Sequence, residues 1–107
     1  MVGITGSVGK TGSKDMLAHI LTNFGSTHAS HRSYNNHIGV PLTLSTLPLD
    51  CDFAVQEMGM NSAGEIASLT TVARPDVAMI TRVANTHRGF FAAMEDIAAA
   101  KAEIFHG

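Results

Sequence analysis

Apolar positions along the chain fall into short blocks with two different periods. Met1 to Thr5 is a brief apolar run that ends at Gly6 and predicts a buried strand. From Thr11 to Phe24 the spacing turns helical. Met16, Leu17, Ile20, Leu21 and Phe24 form one stripe, and Gly25 is placed to end the helix. Ser26 to His37 is polar, rich in Ser, His and Asn, and reads as a loop. Pro41 suits the first turn of a second helix that uses Leu42, Leu44 and Leu47 and stops at Pro48. Phe53 to Glu57 predicts a strand ending in a carboxylate, and Gly59 to Asn61 a turn. Ala63 to Ala73 predicts a helix with Ile66, Leu69, Thr70 and Ala73 on one face. After the break at Pro75-Asp76, the unalternating run Val77 to Val83 predicts a strand buried on both faces of a parallel sheet. Ala84 to Phe91 reads as a loop, and Met94 to Phe105 as an Ala-rich helix burying Ile97, Ala100 and Ile104.

Strands alternating with helices imply an α/β fold, a parallel sheet with flanking helices and right-handed crossovers. Ligands of such sheets bind beyond the carboxyl ends of the strands. Gly6 to Thr11, Glu57 and the loop around His87 each end or follow a predicted strand, so topology predicts that they converge on one edge.

Composition narrows the function classes. The 107 residues suffice for one small domain, and 45% hydrophobic against 15% charged residues is a globular balance. A net charge of −2 provides no basic field for nucleic acid. No apolar run approaches membrane-spanning length, and the start of the chain lacks the layout of a signal peptide. Cys51, the single cysteine, has no internal partner and fits a reducing, cytoplasmic setting.

Chemistry is concentrated in Gly6-Ser7-Val8-Gly9-Lys10-Thr11, between a strand and a helix. Glycines let backbone N–H groups turn inward around a phosphate, and the helix N-terminus adds positive potential. Lys10 is placed to reach the β- and γ-phosphates, and the Thr11 hydroxyl to bind magnesium. The usual longer loop has a further glycine where this chain has Ile4. The competing reading is an ordinary Gly-rich turn. Glu57 is either a magnesium ligand at a strand end or a solvent-facing carboxylate. Read alone, His87 is a surface loop residue or a ligand, Lys101 an exposed helix lysine, and Asn35-Asn36 a cap or turn signal. His19, His28, His31, His37 and His106 lack zinc-ligand spacing and read mostly as surface, and the methionines read as core filler.

Taken together, these segments resemble the central ATPase domain of the Mur ligases, which build the peptide of bacterial peptidoglycan. The resemblance runs through Thr5 to Thr11, Ser33 to Leu44, Glu57 to Asn61 with Gly64-Glu65-Ile66, Arg74 to Ala78, and Ala98 to Phe105. The Asn35-Asn36-His37-Ile38-Gly39-Val40-Pro41 block and the Gly59-Met60-Asn61 block point to the branch that adds D-alanyl-D-alanine. The shorter phosphate loop is a feature of these ligases. The resemblance implies that Thr5, Gly6, Ser7, Val8, Gly9, Lys10, Thr11 and Gly12 hold ATP. It implies one magnesium on Thr11 and Glu57, a second near His87, and a Lys101 carbamylated by carbon dioxide into a metal ligand. Lys10, Lys101 and His87 would be the catalytic residues, and Asn35 and Asn36 would lie near a UDP-muramoyl tripeptide substrate.

The implied reaction forms an acyl phosphate from the tripeptide carboxylate and ATP, which the amine of D-alanyl-D-alanine then converts to an amide. The partners implied are ATP, the tripeptide and the dipeptide, with no nucleic acid and no membrane. Departures from the family pattern are Arg82, Asn85, Thr86 and Arg88 around His87, and Gly12 in place of a hydroxyl residue. Residues 1–107 then correspond to part of the central domain, without the N-terminal substrate domain, the rest of the central domain or the C-terminal domain. Such a segment is expected to bind nucleotide without ligating. A folylpolyglutamate synthase-like ligase and a non-catalytic nucleotide-binding module are the alternatives.

Overall fold

The computed structural model describes residues 1–31, 34–84 and 93–106. Its elements are β1 (Val2–Thr5), α1 (Lys10–Leu21), β2 (Thr27–Ala29), α2 (Gly39–Ser45), β3 (Phe53–Glu57), α3 (Glu65–Ala73), β4 (Val77–Ile80) and α4 (Met94–Ala102), which runs into a 3-10 turn at Glu103–His106. The four strands form one sheet in the order β2-β3-β1-β4, and every pairing is parallel. The expected α/β architecture is therefore present. Central β1 aligns Ile4 with Glu57 on one side and with Met79 on the other, so the ends of β1 and β3 lie level.

The main core fills one face of the sheet. Val40, Met58, Ile66, Leu69, Ile97, Ala100 and Ile104 are buried together there, with Ala78, Ile80 and Val83 packed against them from the β4 side. Ile66, Leu69, Thr70 and Ala73 line the buried face of α3, as their spacing predicts. Helix α1 lies over β1, β2 and β3.

Five expectations need correction. The polar loop read over 26–37 contains β2, because a three-residue edge strand needs no apolar run to pair with β3. Helix α1 starts at Lys10 and ends at Leu21 rather than spanning Thr11 to Phe24, and its apolar stripe is not its buried face. Met16 is 67% exposed and Phe24 75%, while Lys14 is 1% exposed. The reason is contact geometry: the side of α1 that meets β2 and β3 carries Lys14, whose ammonium donates to the Ser30 carbonyl at 2.8 Å. Helix α2 carries Pro41 in its first turn, as expected, but ends at Ser45 and buries Val40 and Thr43 while Leu42 faces outward. Strand β4 ends at Ile80 and is an edge strand covered on one face. Ala78 and Ile80 meet the core, and Val77 and Met79 are exposed. The last helix changes to 3-10 geometry at Glu103, where its carboxylate accepts the backbone N–H groups of Gly64 (2.9 Å) and Ala67 (3.1 Å) at the start of α3.

Ile66 is fully buried and Leu49 is 106% exposed, so the two report opposite environments. Ile66→Ala should lower stability by about 2–5 kcal/mol in urea denaturation. Leu49→Ala should change it by less than about 0.5 kcal/mol.

Candidate functional site

The turn between β1 and α1 is shaped by its neighbours as well as by its glycines. Gly9 sits at φ 84° just before the helix, a left-handed conformation that favours glycine. At Gly6 a Cβ would overlap the Thr81 hydroxyl, which follows β4 directly. Thr81 Oγ1 in turn donates to the Val8 carbonyl at 2.7 Å. The Ser7 N–H donates to the Arg82 carbonyl at 2.7 Å. The Ser7 hydroxyl donates to the Ala84 carbonyl (3.0 Å) and accepts the Ala84 N–H (2.9 Å). Ser7 and Val8 of the loop are thus fastened to Thr81, Arg82 and Ala84 of the segment after β4. Lys10 folds its ammonium back onto the Gly6 carbonyl at 2.8 Å.

Glu57 ends β3 at 1% exposure, next to this turn. Its Oε1 accepts the Thr11 hydroxyl at 2.8 Å, and its Oε2 accepts the Asn35 amide at 2.6 Å. The predicted meeting of the loop and this carboxylate therefore occurs. His87 lies outside the described residues, as do Ser33, Asn85, Thr86 and Arg88.

The residues present fit magnesium. The Thr11 hydroxyl and the Glu57 carboxylate offer two hard oxygen ligands within hydrogen-bonding distance of each other. No group of three His, Cys, Asp or Glu side chains able to hold a metal occurs among the described residues. Phosphate and water oxygens would complete the coordination shell, the usual habit of this cation. The loop also fits a phosphate. The Thr5 hydroxyl, at the point where the strand enters the turn, is buried without a hydrogen-bond partner. Gly12 faces open space, so the missing hydroxyl there leaves room but no contact.

Lys101 is 1% exposed, which overturns the reading of an exposed helix lysine. A run of small alanines on α4 lets the helix sit close to the core, and the Glu103 contacts with α3 hold that end of it in place. Burial, reinforced by the positive charge of Lys10, pulls the Lys101 ammonium down to about 8. Asn35 and Asn36 behave differently from each other. Asn36 accepts the N–H groups of Ile38 (3.1 Å) and Gly39 (2.7 Å) and forms the turn into α2, as a capping signal predicts. Asn35 is bound to Glu57. Sequence reasoning missed Lys14, although it follows Thr11 by one helical turn on the same face; Thr81 carried no local signal.

A cleft of about 520 Å³ opens beside Lys10, between the N-terminal ends of α2 and α3. Asn35, Asn36, His37, Asn61, Glu65 and Ser68 give it a polar lining over Met60 and Leu69. The Asn61 backbone N–H, 2.6 Å from the Glu65 carboxylate, holds that group below the usual carboxylate range.

A parallel sheet carrying a glycine turn, a lysine and a hydroxyl–carboxylate pair at its carboxyl edge has the layout of a phosphate-loop α/β domain. The chain belongs to the Mur ligase middle domain family, which it matches over residues 4–107. It is 45% identical to the UDP-N-acetylmuramoyl-tripeptide–D-alanyl-D-alanine ligase of Synechocystis sp. over 97% of its length, and 43% identical to that of Bacillus subtilis over 100%. It covers 23% of each of these relatives, so it spans about a quarter of their length. Among solved structures it is similar to MurF from Acinetobacter baumannii, with a TM-score of 0.94 at 37% identity over 98% of this chain and 23% of that one. It is also similar to the MurF ligase of Thermotoga maritima in complex with ADP, with a TM-score of 0.89 at 37% identity over 96% and 24%.

The Lys101 shift has a stability consequence with a definite sign. Between about pH 8 and 10.5 the unfolded chain binds more protons than the folded one, so stability rises with pH across that window. Below about pH 8 the cost of the buried charge is present in full. Lys101→Met should therefore flatten the rise, by roughly 1–3 kcal/mol, in urea denaturation series at pH 7.5, 8.5 and 9.5. An unchanged slope would place the ammonium in water.

Proposed function

We propose that this chain provides the phosphate- and magnesium-binding part of an ATP-dependent ligase that joins D-alanyl-D-alanine to a UDP-muramoyl tripeptide. The observation that carries the reading is the placement of Lys10, Thr11 and Glu57 at one turn, with Thr11 and Glu57 in direct contact. The printed names of the relatives and the ADP in the Thermotoga maritima structure support the substrates and the nucleotide.

The chemistry follows from charge. Loop amides from Gly6 to Thr11 wrap the ATP phosphates. Lys10 exchanges its hydrogen bond to the Gly6 carbonyl for one to the β- or γ-phosphate. Thr11 and Glu57 would hold magnesium, which when bound would supply positive charge against oxygens that become more negative as the γ-phosphoryl group transfers. The tripeptide carboxylate attacks that group, giving an acyl phosphate and ADP; the dipeptide amine then displaces phosphate and forms the amide. The polar cleft beside Lys10 is the approach for the nucleotide-linked tripeptide, with Asn36 along its wall.

Lys101 suits carbamylation. Lowering the Lys101 ammonium to about 8 makes a larger fraction of the amine neutral, and so reactive toward carbon dioxide, than in an ordinary lysine, and the carbamate replaces a costly buried cation with an anion next to Lys10. Lys101 and His87 then serve a second magnesium. Residues 1–107 correspond to about a quarter of the relatives' length, and the roles assigned to them are the phosphate and magnesium contacts. A reaction that draws on ATP and a nucleotide-linked precursor suits a cytoplasmic setting. No helix among the described residues is long and apolar enough to cross a membrane.

Calorimetry of magnesium-dependent ATP binding tests the reading directly. Lys10→Ala should weaken binding about 10- to 100-fold, the loss of one charged phosphate contact. Equal binding by both proteins would discard the phosphate-loop assignment. For Lys101, carbon-13-labelled bicarbonate should give a carbamate resonance that disappears in Lys101→Arg.

A further inference from the structure

Asn35 belongs to the block that resemblance assigns to the nucleotide-sugar substrate, yet its side-chain N–H and its backbone carbonyl are committed at and just after the end of β3. Its side-chain N–H donates to Glu57 Oε2 at 2.6 Å, and its backbone carbonyl accepts the Gly59 N–H at 2.7 Å. The other carboxylate oxygen, Oε1, meets the Thr11 hydroxyl at 2.8 Å. We propose that Asn35 is a positioning residue for the magnesium site, pinning Glu57 by Oε2 so that Oε1 faces Thr11 and the cation. This rests on the nucleotide and magnesium reading above.

Three features of the arrangement support it. The first is charge. A neutral amide orients the carboxylate without neutralising it, whereas a lysine or arginine in that place would compete with the cation for the same negative charge. The second is rigidity. A Glu side chain has several rotatable bonds, and a bond from each of two separate elements, α1 and the segment before α2, fixes the carboxylate plane before any metal arrives. The third is the room left for Asn35. A Cβ on Gly59 would stand 2.9 Å from the Asn35 Cγ and Oδ1 and 3.0 Å from its Nδ2, so a side chain there would push the amide off Glu57. The lack of a side chain at position 59 and the hydrogen bond from its N–H serve the same contact.

Asn36 provides the contrast. Its side-chain oxygen is turned into the backbone of Ile38 and Gly39, a local turn that has no link to Glu57. Two adjacent asparagines with one composition signal thus have separate tasks.

The test is a manganese titration followed by electron paramagnetic resonance, with ADP saturating, on wild type, Asn35→Ala, Gly59→Ala, Glu57→Gln and the Asn35→Ala/Glu57→Gln double variant. Asn35→Ala should bind manganese roughly tenfold more weakly, the usual effect of removing a residue that orients a ligand. Its ADP affinity without metal should be unchanged. Gly59→Ala should weaken manganese in the same direction, and it decides the matter if Asn35→Ala fails to fold. The double variant should bind no more weakly than Glu57→Gln alone, because the amide acts only through that carboxylate. Unchanged manganese affinity in Asn35→Ala, or losses that add in full in the double variant, would overturn the proposal. So would an Asn35→Ala protein that keeps its metal and loses affinity for UDP-N-acetylmuramoyl tripeptide. A wild-type protein that binds no ADP under any metal condition would instead refute the nucleotide reading, and this inference with it.

Discussion

The site depends on a buried carboxylate whose two oxygens are held by different parts of the chain. Glu57 sits at 1% exposure, where an unpartnered charge would be costly. Thr11 and Asn35 each supply a donor, one from the first turn of α1 and the other from the segment before α2. The polar contacts that make the burial tolerable also bring three stretches of sequence to a single point. Parallel pairing of β1 and β3 makes this possible, because it puts both strand ends at the same edge of the sheet.

Positive charge is distributed around that point with equal care. Lys10 is parked on the Gly6 carbonyl, close enough to the buried Lys101 to lower its affinity for a proton. Lys14, one turn further along α1, is also buried and faces away, toward the Ser30 carbonyl; Ser30 Oγ accepts the Glu57 N–H at 3.3 Å. Cations near the edge thus have separate tasks. Lys10 is available to an anion, Lys101 holds its proton less tightly than an ordinary lysine, and Lys14 ties α1 to the residue after β2. The same logic applies at the far end of the chain. Glu103 satisfies the open N–H groups of α3, and this also fixes the helix that carries Lys101.

Much of the fold could be read from local pattern. β1, β3 and the buried face of α3 appear where the apolar spacing puts them, because each lies against the core and its period reports that face directly. The misreadings share one cause. Met16 and Phe24 have helical spacing but stand outside the contact with the sheet, and Val77 to Ile80 is apolar throughout although only one of its faces is covered. Apolar composition states what a segment could bury; the neighbouring elements decide what it does bury. β2 was invisible for the converse reason: its pairing is made by backbone groups, which carry no side-chain signal.

By itself the sequence determined the alternation of strands and helices, the glycine–lysine–threonine turn between the first strand and helix, and the carboxylate that closes the third strand. These are local properties, set by spacing along the chain and by the conformational freedom of individual residues. Tertiary structure alone decided that Asn35 serves Glu57, that Thr81 and Ala84 shape the phosphate loop, and that Lys14 and Lys101 are buried. Each of these depends on a partner far away in sequence, and solvent exclusion and hydrogen-bond distance arise only once the sheet has brought the two together.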